Sequence, residues 1–556
     1  MDPRARADQD LICQLESDRS TLTAHYAELA RYIWPDHGIF YRSKGEPEGG
    51  KRANEIVDTT APIAADRCAS ALMSMTAPSH RQYHRLAVDD EDLKDDLEVT
   101  QWLEQTNDTL FRRRYAPNSG FAAQYHECCK SAVVFGPMAT FIEDVVSADG
   151  SSYNCYHSLS VSNTYLTVDD KNRVDGFARR LEYNAKQLAE KFGEDKLPPR
   201  VRECLNSKSQ GKRLQKWGVV HVVDPMPQKQ NVTGFTHSSR YSIVEGTAML
   251  EERGYRGLPL ASARYATLPG EQYGRSIAML LLPSIKGLNK AKRDFIVGIH
   301  KQVDPPLLAH DDDGVMTVIK AVAGKATQGG VTADGKPLVL PLSQPGRLDW
   351  ADKYLQDEKR QINDGFMTSL FQILTEQPTR QQTAYEVSVR EVEKAALMSP
   401  STDRINDEYF AVCVRRELSI AEEAGDIAPM PESLRNRRHA IKVIHVGDLS
   451  VAQQAEKILG IQRALEVAPL FAEQDPTAAK RVKWADAYRQ FAEGVGMSAD
   501  LLRTDEEMDE LREQDEQQQA AAAMAGAAPG AGVAAKNFAQ AEQIRNEQQA
   551  GLGNLV

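Results

Sequence analysis

Between Tyr273 and Pro400 the sequence writes two long helical patterns around a turn-rich insert, and this limits the fold more than any other feature. Residues 277–303 place Leu281, Ile285, Leu288, Phe295 and Ile299 at three-, four- and seven-residue spacing, the rhythm that gathers apolar side chains on one helical face. Lys286, Lys290, Lys292, Arg293 and Lys301 fall on the other faces, Pro283 predicts a kink near the start, and Asp304-Pro305-Pro306 stops the helix. The insert 304–349 is rich in Gly, Pro and Asp. It has turn signals at Asp311–Gly314, Gly329-Gly330 and Asp334-Gly335, and predicted strands at Val315–Val322 and Leu338–Leu342. Trp350–Leu374 predicts the second long helix, with Leu355, Ile362, Phe366, Leu370 and Leu374 as its stripe. A polar break at Glu376–Gln382 follows. A third helix, Thr383–Met398, then opens on Thr383 as N-cap with Glu386 three residues on, as in a capping box. Two rods, a compact insert and a tethered polar tip describe an elongated subunit.

The rest of the chain supplies the bulk from which such rods project. Its 556 residues suggest three or four domain-sized pieces or one elongated subunit with several lobes. Hydrophobic residues make up 41%, and the most apolar run, Ile277–Leu282, stops at Pro283, too short to span a bilayer. The first ten residues hold no apolar core of a secretory signal. Seven cysteines lie scattered without framework spacing, which points to reduced thiols in a cytosolic setting. The net charge of −12 speaks against a protein that grips DNA tightly, because such affinity comes from phosphate neutralisation.

In chain order, Leu11 to Ile33 predicts one helix ended by Trp34-Pro35, and Asp58–Met75 a second, stopping at Ala77-Pro78. Residues 99–135 read as helical up to Gly136-Pro137. Then come strands at Ala139–Val146, Tyr153–Tyr156, Tyr165–Val168, Gly176–Leu181, Val219–Val223 and Tyr241–Glu245, with a turn at Asp169–Arg173 and a short helix at Ala185–Phe192. Beyond the organising stretch, Ile405–Ala424 predicts a helix with Ile405, Tyr409 and Val412 on one side, Ala440–Val446 a strand, and Ala452–Ala468 and Thr477–Glu493 helices. Thr504–Gln519 is highly charged, and Ala520–Val556 is an Ala/Gly/Gln-rich tail with nothing to build a core. The fold class expected is α+β, mainly helical, with a β-rich lobe.

No motif carries catalytic chemistry. Gly330 to Lys336 has the spacing of a phosphate-binding loop, but Pro337 stands where Ser or Thr would hold magnesium, and a strand pattern follows where a helix is needed. His126-Glu127 begins a zinc-helix motif that Lys130 leaves unfinished. Cys128-Cys129 read as packed thiols. Asp311–Gly314 lacks the alternating carboxylates of a calcium loop, and Asn231-Val232-Thr233 carries no weight without a signal segment. The loop Glu376–Gln382 is by default a solvated connector. It is nonetheless tethered between two helices, and it combines Arg380 with three amides and one carboxylate, a mixture suited to phosphate contact without sequence preference.

The ordered motifs resemble those of the portal (head-to-tail connector) proteins of short-tailed bacteriophages. They are R-Y-I-W-P at Arg31–Pro35, M-S-M-T-A-P-S at Met73–Ser79, V-V-F-G at Val133–Gly136, Y-G-R-S at Tyr273–Ser276, L-P-S-I-K-G-L-N at Leu282–Asn289, V-D-P-P at Val303–Pro306, and T-A-Y-E-V-S-V-R-E-V-E-K at Thr383–Lys394 followed by Ser399-Pro400. The resemblance covers the chain to about residue 425. It implies a wing–stem–clip–crown fold in a homododecameric ring around a channel for double-stranded DNA. The wing would be 1–272 with 383–450, the stem 273–303 and 350–375, the clip 304–349, the channel loop 376–382, the crown 451–519 and the tail 520–556. The implied channel residues are Gln377, Thr379, Arg380, Gln381, Gln382, Lys353, Lys359 and Arg360. The implied clip docking surface holds Lys320, Lys325, Asp334 and Lys336. The implied partners are a packaging ATPase (terminase), tail or adaptor proteins, and capsid and scaffolding proteins, with no membrane and no cofactor. The place would be the virion vertex, after assembly in the host cytoplasm. An enzyme of the packaging machinery, ATPase or nuclease, and a monomeric head-tail adaptor are the competing readings.

Overall fold

The computed structural model describes residues 2–37, 40, 52–90, 93, 96–147, 150–226, 234–303, 307–309, 334–337, 339–341, 348–368, 399–435, 437 and 441–446, with positions 460, 462, 463, 488 and 491 beyond. The chain divides into two compact units. The first contains residues 1–87, 105–429 and 441–451; the second contains 88–104, 430–440 and 452–556.

The first unit is layered. It opens with α1 (Pro3–Asp18); its helical layer is built from α2 (Ser20–Ile33), α3 (Thr60–Thr76) and α5 (Phe121–Phe135), and between α3 and α5 come the strand β1 (His84–Val88) and α4 (Leu97–Arg114), whose residues up to 104 belong to the second unit. Asp2 starts α1 by accepting the Arg4 backbone N–H at 2.9 Å, with Pro3 in the first turn. The predicted single helix over residues 11–33 breaks at Arg19, whose φ and ψ are −91° and 0°. Its guanidinium is buried and donates to the carbonyls of Thr164 (2.6 Å) and Ser162 (3.2 Å), 4.0 Å over the Tyr165 ring. The break therefore lets α1 follow the sheet while α2 joins the helical core. The predicted stretch 99–135 likewise divides, because Gly120 at φ +70° ends the connection between α4 and α5.

Two antiparallel sheets follow. β2 (Pro137–Val146) pairs with β3 (Ser152–Ser158) on one side and with β9 (Leu260–Arg264) on the other. The second sheet runs in the order β4 (Thr164–Val168), β5 (Val174–Asn184), β6 (Lys216–Pro225), β7 (His237–Ile243), β8 (Ala248–Tyr255). β1, β8 and β9 have no counterpart in the sequence reading. β9, L-A-S-A-R, is buried at every position, so it lacks the alternation that marks a half-exposed strand. β2 shows how the layers stack: Met138 and Ile142 point into the helical core, while Ala139 and Phe141 meet Phe177, Val223 and Leu260 between the sheets. The far face of the larger sheet, Tyr165, Ala178, Val220 and Val222, packs on Ile12 of α1.

Inserted in the β5–β6 connection is a small helical knob: α6 (Ala185–Phe192), a short 3-10 turn, α7 (Pro199–Leu205) and α8 (Gln210–Arg213). α6 starts on a capping box in which Asn184 and Gln187 exchange hydrogen bonds of 2.9 Å. Leu188, Phe192, Leu197 and Val201 of the knob share a core with Trp217, Val219, Tyr241, Ile243 and Leu250 of the larger sheet.

The two rods are α9 (Ile277–Val303) and α10 (Leu348–Gly365). Between them the described residues include a short antiparallel pair, β10 (Leu307–Ala309) with β11 (Val339–Pro341), which matches the strand expected at Leu338–Leu342. The strand expected at Val315–Val322 lies outside the described residues. α10 stops at Gly365, and Met367 takes φ +56°, so the helix predicted to reach Leu374 ends a turn and more before Leu370.

Farther on, the chain is helical from Ser399 and widens into a π-turn at Asn406–Phe410 before α11 (Ala411–Ala424). The extra residue rotates the register: Phe410 and Cys413 join Ile405 and Tyr409 in the core, and Val412 is only half-buried. The expected strand at Ala440–Val446 is present as β12 (Ile441–His445), paired with β1. In the second unit, α12 (Glu432–Arg435) and its flank are tied to the 88–104 stretch by Ser433 donating to Asp96 (2.9 Å) and Arg437 to Asp90 (2.5 Å). Apart from isolated positions, the helices expected at Ala452–Ala468 and Thr477–Glu493, the charged run and the tail lie outside the described residues.

Candidate functional site

The hairpin of α9 and α10 is antiparallel, because Gly365 at the end of α10 lies against Leu281 in the second turn of α9. A Cβ on Gly365 would stand 2.5 Å from a Leu281 methyl, so the missing side chain sets how closely the rods approach. Leu281, Leu282, Ile285 and Leu288 of α9 share one core with Leu355 and Ile362 of α10 and with Phe366 just past its end. The stripe dries out only in its first half. Ile296, Val297, Ile299 and Val303 are exposed, so Ile299 joins no core among the described residues.

At the root of the hairpin the separate sequence motifs converge. Trp34 stacks on Phe135 at 5.9 Å, joining R-Y-I-W-P to V-V-F-G. Ser276 donates to the Val134 carbonyl at 2.8 Å, and its hydroxyl accepts the Met279 N–H at 3.1 Å, capping α9 while binding it to the end of α5. Gly136, at φ +103°, lies so close to Gly274 that a Cβ would stand 2.4 Å from the Gly274 carbonyl oxygen. Gly274 is itself pressed on Arg264, 2.7 Å from a hypothetical Cβ. Both glycines are needed because backbone meets backbone here.

A polar node sits between three and four turns farther along α9. Asn289, buried in the apolar stripe of α9, accepts the N–H groups of Val57 (2.8 Å) and Asp58 (3.0 Å) and donates to Ile285 O (2.9 Å). The Asp58 carboxylate takes Lys292 of α9 at 2.8 Å and Lys359 of α10 at 3.5 Å. Burial pulls the Asp58 carboxyl upward. The Lys292 ammonium and the Thr60 hydroxyl and N–H outweigh it and hold the group down at about 2. The node locks both rods to the segment before α3. Asn289 entered the sequence reading only as the last residue of the Leu282–Asn289 motif and Asp58 only as the start of a helix, and neither was given a role; an Asn inside an apolar stripe was the available signal.

The sequence-predicted site residues fare differently. Lys353 is exposed on α10. Arg360 is exposed and 3.8 Å from Asp357. Lys359 turns inward to Asp58. Asp334 and Lys336 are exposed at a turn in which Gly335 has φ +79°. Gln377, Thr379, Arg380, Gln381, Gln382, Lys320 and Lys325 lie outside the described residues. The turn at Asp334-Gly335 leads into β11 rather than a helix, so Lys336 lacks the helix N-terminus that phosphate binding by such a loop requires.

Nothing in the described residues assembles a reactive site. Cys128 and Cys129 are buried, and all seven cysteines are free thiols. No cluster of three metal-ligating side chains occurs among the described residues, and no described helix is long and apolar enough to cross a membrane. The cleft between α1, α2 and the Glu271–Arg275 segment, about 370 Å³, has its cations already engaged: Arg275 pairs with Glu271, and Arg19 with carbonyls.

The mixed α+β fold, with its antiparallel helix pair held at a root built from the sequence motifs, is that of a protein with known relatives. The profile of the family described as bacteriophage head to tail connecting protein matches residues 7–502, and the chain belongs to that family. It is 26% identical over 544 residues to a protein described as the probable portal protein of Bordetella phage BPP-1, covering 94% of this chain and 93% of the relative. It is 24% identical over 539 residues to the portal protein of Salmonella phage epsilon15, covering 92% of each. The chain is thus a phage portal, or head-to-tail connector, and the reading as a packaging enzyme is not favoured.

Proposed function

We propose that twelve copies of this chain close into a ring at one capsid vertex, through which double-stranded DNA enters the head and later leaves. In this reading α9 and α10 form the stem, the 304–349 insert is the clip that docks a terminase and then tail proteins, and 376–382 is the channel loop. Residues 1–272 with 383–450 form the wing, with the β-rich lobe in it, 451–519 the crown and 520–556 the tail. Capsid and scaffolding proteins meet the ring during assembly in the host cytoplasm. The observation that carries the reading is the antiparallel pair of rods, tied to the helical core by the Gly136–Gly274 contact at the start of α9 and by Asn289 and Asp58 near its middle.

The net charge of −12 suits a conduit, since a wall of phosphate-neutralising groups would hold the duplex in place. Ring closure repeats each side chain around the axis, so a single Arg380 becomes a girdle of charge. The chain itself performs no chemistry; the packaging motor is another protein.

Negative-stain images of the purified protein test the ring: particles with a central hole are expected, and solid single-chain particles would refute it. Arg380→Glu is expected to leave ring formation intact while lowering the DNA retained in filled heads. Loss of the ring itself would show the loop to be a structural element instead. Sustained nucleotide hydrolysis abolished by Lys336→Ala would return the enzyme reading.

A further inference from the structure

The β5–β6 knob reverses the charge of the chain. From Ala185 to Lys216 it holds nine basic residues and four acidic ones in a protein of net −12, so the remainder carries −17. The asymmetry is sharpest over α7, α8 and their flanks. Between Pro199 and Lys216 stand Arg200, Arg202, Lys208, Lys212, Arg213 and Lys216 against Glu203 alone. All six cations are exposed. Lys216 reaches Glu182 at 3.8 Å, and the described structure shows no acidic partner for the other five. Leu188, Phe192, Leu197 and Val201 pack with Trp217, Val219, Tyr241, Ile243 and Leu250 of the larger sheet into one buried core, so the cations are presented on a built surface.

We propose that this knob is a second nucleic-acid contact, taking the phosphate backbone of duplex DNA without regard to sequence, separate from any channel. Three features choose DNA over other acidic partners. Asn206, Ser209, Gln210 and Gln215 are exposed among the cations, and these are the residue types that share phosphate contacts with Arg and Lys. A protein interface needs an apolar or aromatic centre, yet Leu214 is the one large hydrophobic residue strongly exposed among the described residues of the knob. A membrane surface would require an apolar helical face, which α7 and α8 lack. The surrounding negative charge does not cancel the patch, because at about 0.1 M salt fields are screened beyond roughly 10 Å.

The test uses covalently closed circular duplex DNA, which cannot be threaded through a ring and so reads outer surfaces only. The full chain is titrated onto a labelled closed minicircle of arbitrary sequence, and binding is followed by anisotropy at 50 to 200 mM salt. Three or four phosphate contacts predict a fall in affinity of roughly 40- to 150-fold across that range. Arg200→Glu, Arg202→Glu, Lys212→Glu and Arg213→Glu combined should weaken binding at least tenfold, and the same four positions changed to Gln should flatten the salt dependence. Equal binding by wild type and both variants would overturn the proposal. So would no binding of the minicircle at 50 mM salt, or capture of a polyglutamate peptide in preference to DNA. Particle images of the same samples report ring formation separately, so failure here is distinguishable from failure of the portal arrangement.

Discussion

Gly136→Ala tests the root of the hairpin most directly. The residue has φ +103° and ψ −56°, a backbone state that costs a residue with a Cβ about 1–3 kcal/mol. The new methyl would also stand 2.4 Å from the Gly274 oxygen and 2.7 Å from its carbonyl carbon. Both are backbone atoms held by neighbouring hydrogen bonds: Tyr265 N–H to Gly136 O at 2.8 Å, and Arg275 N–H to Ala266 O at 2.7 Å. Relieving such overpacking adds about 1–3 kcal/mol, so the total is about 2–6 kcal/mol. Two controls separate the terms. Gly150 shares a positive φ, +86°, but nothing lies within 4 Å of its hypothetical Cβ, so Gly150→Ala costs only the conformational part. Gly287 sits in α9 with open space around it, and Gly287→Ala should stabilise by about 0.5–1 kcal/mol. Urea unfolding followed by circular dichroism should rank the midpoints Gly287→Ala highest, then wild type, Gly150→Ala and Gly136→Ala. Coincident midpoints for Gly136→Ala and Gly150→Ala would refute the argument that the two backbones touch.

Two further substitutions probe the interior. Glu417 is fully buried and accepts from Arg114 Nε (2.9 Å) and Nη2 (2.6 Å), from the Tyr156 hydroxyl and from Cys413. Glu417→Gln should destabilise by about 3–5 kcal/mol in thermal or urea unfolding, because a buried guanidinium loses its countercharge, while Arg114→Met with Glu417→Leu should recover most of the loss. Asp58, held at about 2 against an ordinary 3.8, contributes about 2 kcal/mol that is fully present above pH 4 and disappears as pH falls through about 2. Asp58→Asn should therefore be less stable than wild type at pH 7, with the gap closing toward pH 2; a gap independent of pH would remove the carboxylate from the account.

The polar residues at the root show where local pattern stops being informative. Asp58 resembles any helix-flanking carboxylate until α9 and α10 bring Lys292 and Lys359 to it. The family resemblance implied a channel position for Lys359, and in this structure its ammonium lies 3.5 Å from the Asp58 carboxylate. Arg19 sits in a continuous apolar rhythm, yet carbonyls from residues 162 and 164 break the helix there. The π-turn at Asn406–Phe410 likewise shifts a register that regular spacing would continue.

The pair of rods and most strands of the β lobe were written in the sequence, because period and turn chemistry act between near neighbours. The motif glycines were visible as letters too. That Gly136 meets Gly274, that Asn289 and Asp58 lock the rods, and that the apolar stripe of α9 is dry only near its root were decided by tertiary packing. Each depends on groups far away along the chain, among them Gly274 for Gly136 and Lys359 for Asp58, and no local periodicity encodes which distant group will arrive.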